Sequence, residues 1–210
     1  MRKSAALAGI LGPLLFLTVV LVEGAVRPGY RPLHDTISEL SLGPRGWIQT
    51  ANFLVFGILF LVFARGVKAS LDDSRAARVG GTLLSVIGLG VVGCGLFRAE
   101  PWPPASMSPA GVLHLVCAIA LVFALLPVAT AVLLRAFVAE PRWRSLALAT
   151  GVTSFVTLAL LVGGLALMSP PGNPSRIGND YGGLIQRIDV AVFFAWQMGV
   201  ARRIASLRQR

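Results

Sequence analysis

The sequence predicts an all-α integral membrane protein: a polytopic six-helix bundle with both termini cytoplasmic and a short amphipathic helix in its first outer loop. Three observations carry that prediction. Of the 210 residues, 55% are hydrophobic and only 13% charged, too little charge to cover a soluble domain of this length. Apolar runs at 5–22, 47–64, 79–97, 110–134, 145–168 and 183–201 match the roughly 20 helical residues that cross a 30 Å hydrocarbon layer, the second only barely. Thirteen of the nineteen Lys and Arg, but only three of the nine Asp and Glu, fall at the termini and in the second and fourth loops. By the positive-inside rule those segments face the cytoplasm.

That placement also accounts for the net charge of +10. The excess sits on one side of the membrane and the other side is neutral, so the basicity is a topology signal and no nucleic-acid partner is expected. The expected setting is the cell membrane, with the lipid bilayer as partner and residues 1–210 forming a single membrane domain. Two cysteines rule out a disulfide scaffold and a multi-cysteine metal cluster.

The first run follows Arg2 and Lys3 as a signal peptide would. Its apolar stretch exceeds a typical signal core, and Glu23 stands where cleavage after Ala25 would need a small residue, so it is read as a retained helix. Loop one is the longest connection. Within it, Thr36-Ile37-Ser38-Glu39 fits a capping box, and Gly43-Pro44 supplies the stop. Ile37, Leu40 and Leu42 give the expected helix an apolar side, to lie on the membrane surface or tuck over the bundle mouth. Span two opens with Trp47, an expected interfacial anchor like Trp143.

Span three is rich in glycine, and its pairs Gly81/Ser85 and Gly90/Cys94 permit close helix approach. Loop three carries Pro101, Pro103, Pro104 and Pro109 and reads as a stiff outer turn. Pro13 and Pro127 are candidate kinks in spans one and four. Thr150, Thr153, Ser154 and Thr157 in span five read as hydroxyls bonded to their own i−4 carbonyls or to a neighbouring helix. Loop five, 169–182, is rich in Pro, Gly, Asn and Ser and reads as irregular.

Polar groups inside membrane spans are costly, so their placement is informative. They gather at the outer ends: Glu23 in span one, Gln49 and Asn52 in span two, Cys94 and Arg98 around the end of span three. His114 and Cys117 follow in span four, and Gln186, Arg187 and Asp189 in span six, with Gln186, Asp189, Phe193 and Gln197 on one stripe. His34, Asp35 and Glu39 of loop one join this layer, which holds both histidines of the chain. Each has a plainer reading: snorkelling for Glu23, Arg98 and Arg187, capping for Glu39, helix–helix bonding for His114, buried apolar thiols for Cys94 and Cys117. The one-sided clustering is harder to assign to packing and predicts a polar pocket open to the outside.

The segment from His34 to Pro44, running into Gly46-Trp47-Ile48-Gln49-Thr50-Ala51-Asn52-Phe53, resembles the first-loop signature of the domain of unknown function 998 family of bacterial and archaeal six-span membrane proteins. Gly111-Val112-Leu113-His114 and Gly183-Leu184-Ile185-Gln186-Arg187-Ile188, with Trp196 beyond, resemble it too. The likeness covers essentially the whole chain. It implies a six-helix fold, brings no activity, and adds weight to His34, Asp35, Ser38, Glu39, Asn52, His114 and Arg187.

Three functions compete. The first is a membrane-embedded hydrolase or transferase on a lipid-like substrate, with His34 and His114 as base or metal ligands and Asp35 or Asp189 as acid or orienting group. Glu39, Asn52, Arg98 and Arg187 would then hold the substrate, the arginines through a phosphate or carboxylate. The sequence has no HExxH, GxSxG or paired-histidine helix motif and names no metal or cofactor. The second is a small-amphiphile binding or transport protein, and the third a structural or accessory subunit that docks a partner through the same polar layer.

Overall fold

The computed structural model describes residues 2–101, 106–167 and 177–207. Six helices are long and apolar enough to cross a membrane, and no strand occurs among the described residues. They are α1 (Arg2–Val26), α2 (Gly46–Lys68), α3 (Arg75–Leu96), α4 (Pro109–Ala139), α5 (Ala147–Leu167) and α6 (Ile177–Ser206). Each packs on the next in sequence, and α6 closes the ring on α1. Loop one meets the ends of α3 and α4 at one end, here the loop-one end, where Ser38 and Phe97 O reach His114, and the basic α2–α3 and α4–α5 connections meet at the other.

Lipid-facing helices gain little from hydrophobic burial against one another, so shape and small residues decide their packing. The middle of the ring is aromatic: Phe16 of α1, Phe53, Phe56 and Phe60 of α2, and Phe193 and Phe194 of α6 interlock with ring centroids 4.9–6.5 Å apart. Gly90 and Gly93 of α3 lie against Leu121 and Cys117 of α4, the close approach that the small-residue spacing predicts. Cys94 and Cys117 are both buried free thiols. In α5 the hydroxyls do as expected: Thr150 donates to Leu146 O, Thr157 to Thr153 O, and Ser154 across to Pro127 O, all at 2.8–2.9 Å.

Helix α4 is not uniform. Its first turns, Pro109–Leu115, give way to a π-helical stretch at Val116–Phe123 before α-helix resumes at Leu125. Pro127 lacks the N–H that would bond back to Phe123 O, and the wider turn ends with Ala124 N–H donating to Ile119 O at 2.8 Å. This loop-one half of α4 packs on α3.

One expectation changes and another gains detail. Loop one forms a five-residue 3-10 helix, Ile37–Ser41, whose apolar residues Ile37 and Leu40 are buried. Gly43 follows in a left-handed turn, φ +70°, and ends it. Trp143 is fully buried and stacks on Phe137 at 4.9 Å, so it is a core residue, whereas Trp47 is exposed where an interfacial anchor belongs.

Candidate functional site

The loop-one segment is held from three sides. From α1, Arg27 extends past the helix end and donates to the carbonyls of Glu39, Leu40 and Leu42. Those carbonyls close the short 3-10 helix and have few helical partners of their own, and a guanidinium satisfies several at once. At its start the Glu39 carboxylate reaches back to accept from Thr36 N–H at 2.6 Å and Thr36 Oγ1–H at 3.1 Å. From α6, Gln186 Oε1 accepts Ile37 N–H at 2.7 Å, and Arg187 donates to Asp35 O at 3.0 Å and to the Tyr30 hydroxyl. Burial pushes the Tyr30 phenol above its ordinary value. It therefore stays protonated at neutral pH and donates to Thr36 O at 2.9 Å.

Glycine makes this docking possible. A side chain at Gly183 would bring its Cβ to 2.4 Å from Asp35 O and 2.6 Å from Pro32 O, so only glycine lets α6 lie directly against the loop backbone. Gly183 and Leu184 N–H then donate to His34 O and Leu33 O at 3.0 and 2.9 Å.

What the scaffold presents is Ser38. Its Oγ lies 3.0 Å from His114 Nε2, while His114 Nδ1 lies 3.0 Å from Phe97 O. A carbonyl oxygen can only accept, which assigns the proton of the neutral ring to Nδ1. Nε2 is then the acceptor and Ser38 Oγ–H the donor. The Phe53 ring meets His114 edge-on at 6.2 Å, and His114 is 5% exposed. The result is a hydroxyl bonded to a basic nitrogen whose imidazole is fixed by a third group.

Ser38 and His114 both line a cavity of about 490 Å³, within the volume range of small-molecule sites. Its walls are the π-helical stretch of α4, Leu160–Leu165 of α5, and Ile185, Gln186 and Asp189 of α6. Those walls are mainly apolar; the polar groups sit at the loop-one side. A smaller cavity of about 70 Å³ shares Ser38, Ala118, Phe123 and Gln186 with the first and runs in among the central phenylalanines.

The residues expected to form a site thus separate. His114 and Asp189 share the cavity wall. His34 is half-buried and is not among the residues lining it, its ring stacked on Tyr181 at 6.3 Å. Asp35 turns back to Arg31, accepting its backbone N–H at 2.6 Å and pairing with its guanidinium at 3.8 Å. Glu39 caps, and Arg187 grips loop-one oxygens. Asn52 is buried between helices, donating to Phe16 O and Gln49 Oε1 at 3.2 Å. Arg98 is exposed just beyond α3. Glu23 is buried and paired with Arg45 through two contacts at 2.6 and 3.1 Å, which ties α1 to the start of α2.

Sequence reading gave Ser38 weight only through the family likeness and assigned it no role. Its partner lies 76 residues away, and a serine inside a capping box reads as helix-start chemistry. No group of three or more potential metal ligands occurs among the described residues.

No curated protein and no solved structure matches the chain. A family model described as "Protein of unknown function (DUF998)" matches residues 10–203. The match spans all six membrane helices, with Ser38, His114 and the α6 residues that hold loop one inside it, and the chain belongs to that family.

Proposed function

We propose that the chain is a membrane-embedded hydrolase or acyltransferase acting on an ester of a lipid-like substrate at the outer face of the cell membrane. Ser38 is the nucleophile and His114 its general base. The observation that carries this reading is the 3.0 Å contact from Ser38 Oγ to His114 Nε2, with Nδ1 held by Phe97 O, at the wall of the larger cavity. The strongly basic opposite end supports the outward orientation.

Ser38 Oγ attacks the substrate carbonyl carbon as its proton passes to His114 Nε2, leaving a tetrahedral oxyanion. Collapse expels the alcohol, which takes that proton, and leaves an acyl-Ser38 ester. Water, or a second alcohol, then attacks the acyl carbon with His114 again as base; collapse breaks the bond to Ser38 Oγ, which takes back the proton from His114, and the acid or the transferred ester leaves. Gln186 lines the same cavity with its Oε1 engaged by Ile37 N–H, and in this reading its Nε2 faces the oxyanion. Phe97 O fixes the ring tautomer as a carboxylate does in a Ser-His-Asp triad, but as a neutral group it stabilises the imidazolium less. His34 and Asp35 have no part in the step, and Arg187 supports the loop.

The test is hydrolysis of long-chain acyl esters by the purified full-length protein in detergent or nanodiscs. Wild type is expected to turn over, and Ser38→Ala to fall to the no-protein background while its thermal unfolding is retained. Equal turnover by Ser38→Ala overturns the assignment. A second reading, binding and transport of an amphiphile without chemistry, is favoured by Gln197. It is fully buried on the Gln186–Asp189 stripe, with neither amide atom bonded among the described residues. That reading expects flux across proteoliposomes unchanged by Ser38→Ala.

A further inference from the structure

Among the described residues, the larger cavity is lined by two acidic side chains, Glu100 and Asp189, and by no lysine or arginine. Glu100 is engaged, since Ser108 Oγ–H donates to its Oε1 at 2.6 Å. Asp189 is different. It is 4% exposed, and its Oδ1 has no hydrogen-bond partner among the described residues. Apolar side chains, among them Leu160, Leu161, Leu165, Val116, Ile119 and Ile185, make up most of the cavity wall, and its hydroxyls Thr36 and Ser38 are engaged by Glu39 and His114. Arg187, two positions away, is committed to Asp35 O, Gly183 O and the Tyr30 hydroxyl.

A buried carboxylate oxygen without a donor is costly and calls for a hydrogen-bond donor, a counter-charge or a proton. An apolar chamber whose charged groups are acidic repels phosphate or sulfate and attracts a cation with an apolar body. An unbonded oxygen also asks for an N–H, which a primary ammonium has and a quaternary one lacks.

We propose that Asp189 anchors the primary ammonium group of a long-chain amphiphile, whose hydrocarbon chain lies along the α4–α5 wall of this cavity. This deepens the hydrolase reading, since it names the class of lipid presented to Ser38, and it rests on the same cavity. The arginines expected to hold an anionic group are absent from the cavity wall, so the charge preference is the reverse of the one that sequence alone predicts.

The experiment is equilibrium binding of radiolabelled octadecylamine to the full-length protein in nanodiscs of neutral lipid, with empty nanodiscs subtracted. Octadecanol, octadecyltrimethylammonium and octadecyl sulfate serve as competitors. Wild type and Ser38→Ala are expected to bind the amine saturably and at least about tenfold more tightly than any competitor. Asp189→Asn is expected to lose that preference while still binding the alcohol, which shows that the cavity persists. Amine preference surviving in Asp189→Asn, or an alcohol or sulfate binding wild type as tightly as the amine, overturns the proposal. Amine preference in a protein that hydrolyses nothing leaves this site standing and overturns the hydrolase reading alone.

Discussion

At the basic end, Glu140, Arg142 and Asp72 satisfy one another. The buried Glu140 carboxylate accepts Asp72 N–H at 3.1 Å and pairs with Arg142, which reaches Asp72 at 2.7 Å. At the loop-one end, beside the ion pairs Arg45–Glu23 and Arg31–Asp35, two arginines do something else: Arg27 and Arg187 spend their donors mostly on backbone carbonyls of one loop. The first arrangement pairs charged groups with one another and closes a connection. The second immobilises a loop backbone and leaves an uncharged pair, Ser38 and His114, facing a cavity with an unbonded carboxyl oxygen beside it. Charge marks structure at both ends, and reactive chemistry is assigned here to the neutral groups that the charges hold in place.

Substitutions can break this contrast. The largest effect is expected at Ser38, where Ala removes the nucleophile and takes ester turnover to background. His114→Ala follows, with turnover about 10²–10⁴-fold lower, the usual contribution of a general base; initial-rate assays on folded protein read both. Glu140→Ala is the counterpart at the basic end. It strips partners from Asp72 N–H and Arg142, and is expected to cost about 1–3 kcal/mol in reversible unfolding with turnover per folded molecule unchanged. A turnover loss there would mean that the two ends are coupled.

Arg27→Met sharpens the comparison from the other side. The methylene stem is kept while the donors to three carbonyls go. Amide exchange across residues 37–42 should quicken, and kcat should drop with KM little changed, because Arg27 holds the loop that carries Ser38 and is not itself among the residues lining the cavity. The smallest effect is expected for His34→Ala and Asp35→Asn, within about twofold of wild-type turnover. A large loss at either would return them to the reacting set.

Much of the fold was legible because membrane burial writes itself in long apolar runs, and six of them appear as helices here. The clustering of polar residues at one end was legible for the same reason, since each is costly inside a span. Their division of labour was not. Asn52, Glu39 and Arg187 looked like ligand contacts, yet each bonds protein groups, because sequence shows that a polar side chain needs a partner and not which one it meets. Ser38 became distinguishable only when loop one folded over α4 and brought it to His114. Trp143 passed for an interfacial anchor because aromatic residues at a helix end look alike whether they meet headgroups or a neighbouring ring. The 3-10 helix is short because Gly43 and Pro44 stop it soon after Ile37 and Leu40 have docked.

The most direct test of the Ser38–His114 assignment is covalent trapping. Full-length protein in nanodiscs would be treated with a long-chain alkyl fluorophosphonate, and the modified peptide mapped by mass spectrometry in wild type and His114→Ala. The expected result is one adduct, on Ser38, formed at least about 10²-fold more slowly without the histidine base. No adduct on Ser38, or an adduct that forms equally fast in His114→Ala, would contradict an activated serine.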